Sequence, residues 1–273
     1  MKLLFRLFRC VACEDSGLTL TSFPLCSLCE RALVHCPRLC SRCAGLSCPE
    51  EFCSRPWIVL PPEIPIRSYS AKYVLIGRGF GVLKKWKIHA GPAFDRKVLN
   101  RIGHSTALIH SSQSFQKLEK SENAFAKPGI EFAKSEPELG LGLARLTIEP
   151  PKLVIVPVPQ SPRRSRVLRG NPAERIAHAL SQQTGLSWMR ALEPPEHRAY
   201  RQAERSAPLR YEDPLSFKAI GPAPFRVILV DDFMTTGKTL RTAAYALARA
   251  GTREIDVFCL GVRPLKSHIG HNQ

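Results

Sequence analysis

From Lys152 onward the chain alternates short apolar runs with longer amphipathic stretches. Apolar runs at Leu153 to Val158, Trp188 to Leu192, Val227 to Val230 and Ile255 to Leu260 predict strands, while Ala173 to Thr184 and Thr239 to Ala250 predict helices. The four successive apolar residues of Val227 to Val230 suit a strand buried on both faces, as in a parallel sheet. Leu240 to Ala250 is rich in Ala and Leu and stops at Gly251. Alternating strands and helices imply an α/β fold with helices on the faces of a parallel sheet and a ligand site at the carboxyl ends of the strands.

The N-terminal part follows a different pattern. Pro61 to Ser68 is a proline-marked joint that divides residues 1–60 from residues 61–273. The second part opens with SYSAKYVLIGRGFGVLKKWKIHAG. Ser111 to Leu139 has weak apolar periodicity and reads as loop or mobile helix.

The densest chemistry lies in VILVDDFMTTGKTL, Val227 to Leu240. A strand here is expected to turn sharply, with the next helix starting at the threonines. A helix start offers unpartnered N–H groups and the positive end of the dipole, so Thr235, Thr236, Gly237, Lys238 and Thr239 form a phosphate nest. Asp231 and Asp232 precede it, where carboxylates accept hydrogen bonds from two vicinal ribose hydroxyls or hold a hydrated Mg²⁺. Together they read as a site for a phosphorylated ribose; the plainer reading is a strand-turn-helix with Asp and Thr as caps. A Walker-type loop fits worse, because the earlier glycine is missing and two acids occupy the loop.

Nine of the ten cysteines fall between Cys10 and Cys53. Cys10/Cys13, Cys26/Cys29 and Cys40/Cys43 are CxxC pairs, and Cys48 with Cys53 is a looser fourth. Eight thiolates suit two structural Zn²⁺ sites, one on Cys10, Cys13, Cys26 and Cys29 and the other on Cys40, Cys43, Cys48 and Cys53. Cys36 is left over, and its spacing to Cys40 also allows it to replace a ligand of the second site. The competing reading is a disulfide scaffold, which needs an oxidising compartment. In MKLLFRLFRC the apolar run is broken by Arg6 and Arg9, too short for a secretory signal. With no apolar segment near membrane-spanning length, the expectation is a cytoplasmic zinc protein without membrane insertion. Cys259, within IDVFCLG, is expected to be buried and inert.

At 273 residues the chain accommodates one α/β domain plus a small module, and its 44% hydrophobic content is that of a globular protein. The net charge of +17 favours polyanionic partners. Basic residues cluster at Lys84, Lys85 and Lys87, at Arg163 to Arg169 and at Arg198 to Arg210, with Trp86, Tyr200 and Tyr211 among them. Aromatics beside cations can stack on unpaired bases while the cations follow the phosphates. For Trp86 the competing reading is a core position on an amphipathic helix.

Val227 to Leu240 resembles the motif that binds 5-phosphoribosyl-1-pyrophosphate (PRPP) in type I phosphoribosyltransferases. With KLVIVPVP (152–159), the following QSPRRSRVLRGNPAERIAHAL and the cysteine pairs, nearly the whole chain resembles the ComF/GntX family. The resemblance implies a parallel-sheet type I phosphoribosyltransferase-like domain over residues 61–273, preceded by a cysteine-rich, double zinc-ribbon-like module over residues 1–60. It implies that Asp231 and Asp232 bind the ribose hydroxyls and Thr235 to Thr239 the 5-phosphate. Pyrophosphate and its Mg²⁺ would lie by Arg163, Arg164, Arg169 and Gly170, with Lys87 as a further phosphate or DNA contact. The family's Phe-Asn-Gln after Arg-Gly is replaced by Asn171, Pro172 and Ala173, which removes two amide side chains. Gln202, Arg210 and Phe217 loosely echo a later family pattern. The implied role is handling of single-stranded DNA during DNA uptake in natural transformation, with a helicase as a possible partner. A phosphoribosyltransferase acting on an unidentified acceptor, and a regulatory homologue without activity, are the other readings.

Overall fold

The structure is a computed structural model that describes residues 10, 12–13, 25–37, 39–40, 44, 46, 64–89, 91–100, 102–104, 152–161, 168, 170–194 and 217–263. The basic clusters at 163–169 and 198–210, with Tyr200, Tyr211, Gln202 and Arg210, fall outside the described residues except for Leu168, as does the segment 111–139.

Four parallel strands form the central sheet. β1 is Ile66–Val74, β2 Leu153–Pro157, β5 Arg226–Met234 and β6 Glu254–Val262, in the spatial order β1-β6-β5-β2. The short strands β3 (Leu192–Glu193) and β4 (Lys218–Ala219) pair antiparallel beside it. β5 and β6 occupy the middle, and nearly every residue of β6 is buried, which accounts for unbroken apolar runs rather than alternation.

The helices cover both faces. α1 (Ser27–Arg31), α2 (Gly77–Ile88), α3 (Pro92–Leu99) and α4 (Pro172–Thr184) contribute Cys29, Leu83, Trp86, Val98, Ile176 and Leu180 to one core, together with Ile155, Ile228 and Phe258 from the sheet. α5 (Lys238–Arg249) packs Leu240, Ala243, Ala244 and Leu247 against Val227, Leu229, Val257 and Cys259 on the other. Cys259 is fully buried, as its apolar context predicts.

The α4 start explains one sequence departure. Asn171 caps it, its Oδ1 accepting from Ala173 N–H at 3.0 Å while its Nδ2 donates to Val158 C=O at 2.9 Å. Pro172 then occupies the first helical turn, where a missing N–H costs nothing. Asn171-Pro172 therefore ties the helix to the end of β2.

The described cysteine-rich residues pack directly on this framework. Cys36 N–H donates to Lys72 C=O at 2.8 Å and Val74 N–H to Val34 C=O at 2.9 Å, so residues 34–36 cover the outer edge of β1. α1 lies against α2 so closely that a Cβ on Gly79 would sit 2.1 Å from the Ala32 carbonyl oxygen. Glu30 of α1 is ion-paired with Lys97 of α3.

Two expectations need correction. β5 does not turn after Val230 but continues through Asp231, Asp232 and Phe233 to Met234, because β6 pairs alongside as far as Met234 opposite Val262. The following helix begins at Lys238 rather than at the threonines. For Trp86 the core reading holds rather than the stacking one: it is fully buried, its indole N–H donates to Asp95 Oδ1 at 2.7 Å, and the Arg175 guanidinium covers its ring at 4.5 Å.

Candidate functional site

Asp231 and Asp232 sit at the carboxyl end of β5, just beyond the point where β2 stops pairing with it at Pro157 opposite Val230. Asp232 N–H donates to Asp231 Oδ1 at 2.8 Å and Phe233 N–H to Asp232 Oδ1 at 2.6 Å. The second oxygen of Asp232 is ion-paired with Lys87 Nζ. Lys87 also lies over the Phe233 ring, 5.3 Å from its centroid. Burial and the adjacent Asp232 carboxylate push the Asp231 carboxyl up to about 8.

Thr235 and Thr236 form the exposed turn after the strand, and Gly237 is the N-cap of α5 with φ of +69°. That left-handed conformation is why glycine is needed here. Gly237 offers no side-chain cap, and the first turn of α5 contains no acid but does contain Lys238. Cations are normally disfavoured at this end of a helix, so the arrangement favours an anion. Gly170 is described, with φ of +118°, while Arg163, Arg164 and Arg169 lie outside the described residues.

Lys87 is held by a brace that sequence inspection does not disclose. Arg175 of α4 donates to Asp95 Oδ1 at 3.3 Å and to the Lys87 carbonyl at 3.4 Å, while its guanidinium stacks on Trp86. One arginine thus joins α2, α3 and α4 behind the lysine.

On the opposite flank of α2 stands the cysteine cluster. The sulfurs of Cys10, Cys13, Cys26 and Cys29 all lie within 4.8 Å of one another. Zn–S bonds of about 2.3 Å in a tetrahedron put sulfurs about 3.8 Å apart, and the Cys13 and Cys26 sulfurs are 3.8 Å apart. Cys26 N–H donates to Cys10 Sγ at 3.3 Å. Burial alone would raise Cys10, but N–H groups of Cys26, Cys13 and Ala12 outweigh it and bring it down to about 7. Cys29 is pushed in the other direction, by burial and then by the neighbouring sulfurs. Four crowded thiolates need a cation among them, and the donor set fits Zn²⁺. Of the second expected set only Cys40 is described; Cys43, Cys48 and Cys53 lie outside the described residues. Cys36 stands apart from the four-sulfur group, and burial raises its thiol to about 12.

A groove of about 590 Å³ runs between this cluster and α2, with Arg78, Lys84, Lys85 and His89 in its wall beside Cys13 and Cys29. With Zn²⁺ bound, the tetrathiolate centre would carry two net negative charges beside this cationic wall. No helix among the described residues is long and apolar enough to cross a membrane.

Together these features define an α/β protein with a four-stranded parallel sheet and an N-terminal cysteine cluster suited to a metal. No family model matches the chain. Competence protein ComFC of Streptococcus pneumoniae (strain ATCC BAA-255 / R6) is 31% identical over 105 residues, which cover 38% of this chain and 46% of that protein. The match thus spans about half the length of the relative, and it supports a ComF family relationship for the part it covers.

Proposed function

We propose that the chain binds the phosphoribosyl group of PRPP or a related ligand, and that it serves single-stranded DNA handling during DNA uptake and natural transformation. The observation that carries the first half is the Lys87–Asp232 ion pair at the end of β5, followed in the chain by an acid-free helix start. On this reading Asp231 and Asp232 accept the ribose hydroxyls, and the backbone and hydroxyls of Thr235 to Thr239 receive the 5-phosphate. Lys87 holds the Asp232 carboxylate in place until ligand enters. A bound Mg²⁺ would accompany the pyrophosphate and supply the charge that neutralises it. Arg163, Arg164, Arg169 and Gly170 would take up that pyrophosphate, since they follow in sequence on β2, whose end pairs with β5.

The competence protein that the chain partly matches supports the second half. The cationic groove beside the cysteine cluster offers phosphates a path, and Cys13 and Cys29 in its wall would be fixed by a bound zinc ion. A helicase of the uptake machinery is the partner this role calls for. Titrating Mg²⁺-PRPP calorimetrically into zinc-loaded protein, with Asp231→Ala/Asp232→Ala as control, tests the site. Binding by the wild type that the variant loses is expected; no binding by folded wild type would overturn it. DNA binding is tested by fluorescence anisotropy of labelled oligothymidylate across a salt series. Affinity should fall steeply with salt and further in Arg78→Ala/Lys85→Ala. A flat response would remove the groove from the account.

The raised Asp231 carboxyl favours a second reading, phosphoribosyl transfer to an unidentified acceptor. A carboxyl titrating near neutrality suits proton transfer. Release of pyrophosphate from PRPP in the presence of candidate nucleobases would distinguish it from binding alone.

A further inference from the structure

Phe80 has a position that its chemistry does not explain. It lies in the first turn of α2 and is 40% exposed, although the same helix buries Val82, Leu83 and Trp86 completely or nearly so. Its ring meets that of Phe233 edge to face, with centroids 6.4 Å apart and planes at 65°. Phe233 directly follows Asp232 in β5 and carries the Lys87 ammonium on its face. Phe80 and Lys87 are two turns apart on one flank of α2, so both look toward the same strand end.

Space for this pair is built into the sheet. Phe233 stands opposite Gly261 of β6, where an added Cβ would come 2.4 Å from Leu75 Cδ2 and 3.4 Å from Phe233 Cδ1. Glycine at this register position lets Leu75 press in beneath Phe233. The ring therefore rests on a packed support and leaves Phe80 beside it at the surface. An edge-to-face pair with one exposed ring next to a carboxylate pair and a cation presents apolar area suited to a flat, uncharged ring.

We infer that Phe80 and Phe233 are a base-recognition shelf, so that the ligand is a ribonucleoside 5′-phosphate rather than a bare sugar phosphate. This rests on the phosphoribosyl reading of Asp231, Asp232 and the Thr235 to Thr239 turn. It adds that the group at the anomeric carbon is a planar nucleobase stacked on Phe80. The two carboxyl groups serve a vicinal diol, so the ribonucleotide is preferred to its 2′-deoxy form.

The test titrates adenosine 5′-monophosphate, 2′-deoxyadenosine 5′-monophosphate, ribose 5-phosphate and Mg²⁺-PRPP separately into the full-length, zinc-replete protein. Base stacking on an aromatic side chain should make the adenosine nucleotide bind about tenfold tighter than ribose 5-phosphate. Phe80→Ala should erase that ratio with little change in ribose 5-phosphate binding, and Phe80→Trp should restore it. Thermal melts confirm that each variant is folded. A wild-type ratio near one alongside good PRPP binding would overturn the shelf and leave the phosphoribosyl site standing. Equal loss of both ligands in Phe80→Ala would also overturn it. Failure of every ligand, PRPP included, would overturn the site reading and the shelf with it.

Discussion

Lys87 and Asp232 hold each other at the end of β5, the lysine reaching from α2 to a carboxylate that is almost wholly buried. Neither charge is at ease without the other. Lys87→Met should destabilise the protein by about 3 kcal/mol by leaving the buried acid uncompensated. Lys87→Met/Asp232→Asn should recover most of that loss. Urea unfolding of the two variants and the wild type checks it, and additive losses would show that the pair is not coupled.

Asp231 gives the fold a pH dependence of definite sign. Its carboxyl is raised to about 8 by burial and by Asp232, against about 3.9 for an unfolded aspartate. Across that window the folded state holds a proton that the unfolded chain has released, so this group's contribution to stability declines as pH rises from about 4 to 8. Asp231→Asn should flatten that part of the profile and raise the melting temperature near neutrality. Melts of both proteins from acid to mildly alkaline pH decide it, and an unchanged slope in the variant would assign the titration elsewhere.

Two glycines of α2 should respond oppositely to alanine. Gly81 faces open space, so Gly81→Ala should stabilise by up to about 1 kcal/mol through helix propensity. A Cβ at Gly79 would strike the backbone at Ala32, which has no flexible end to move aside. Gly79→Ala should cost about 2 kcal/mol and weaken metal retention. Chemical denaturation and metal release to a chromogenic chelator measure the two effects.

Metal removal should be felt throughout the described core, because Cys10, Cys26 and Cys29 share it with Leu83, Trp86 and Phe258. Chelation, or Cys29→Ser, is expected to lower the main calorimetric transition as a whole. An unmoved main transition with a separate small one would show that the cluster melts alone.

Features with local causes are legible in the chain, and features with distant causes are not. Val227 to Val230 reads as a strand because four consecutive apolar residues suit a two-sided burial, and the CxxC spacing alone groups Cys10, Cys13, Cys26 and Cys29. The continuation of β5 through Asp231 and Asp232 does not read, since acids resemble turn residues and their partners, Lys87 and β6, come from elsewhere in the chain. Asn171 looks like a lost contact residue in sequence and proves to be a helix cap. Phe80 and Trp86 are both aromatic positions of one helix, yet only tertiary packing separates the buried ring from the exposed one. Nor does composition hint that Arg175 would join Trp86, Asp95 and the Lys87 carbonyl.

Helix α2 is engaged on every side: its inner face carries Val82, Leu83 and Trp86, one flank presents Phe80 and Lys87, and the other lines the cationic groove beside the cysteines. Each residue added or removed would rotate the remainder of the helix by about 100°. A single-residue insertion or deletion within 77–88 would thus swing Lys87 off Asp232 and bring a polar side chain into the core in the same stroke. Change tolerated in this segment should be confined to substitution in place, and its length should be among the least negotiable features of the chain.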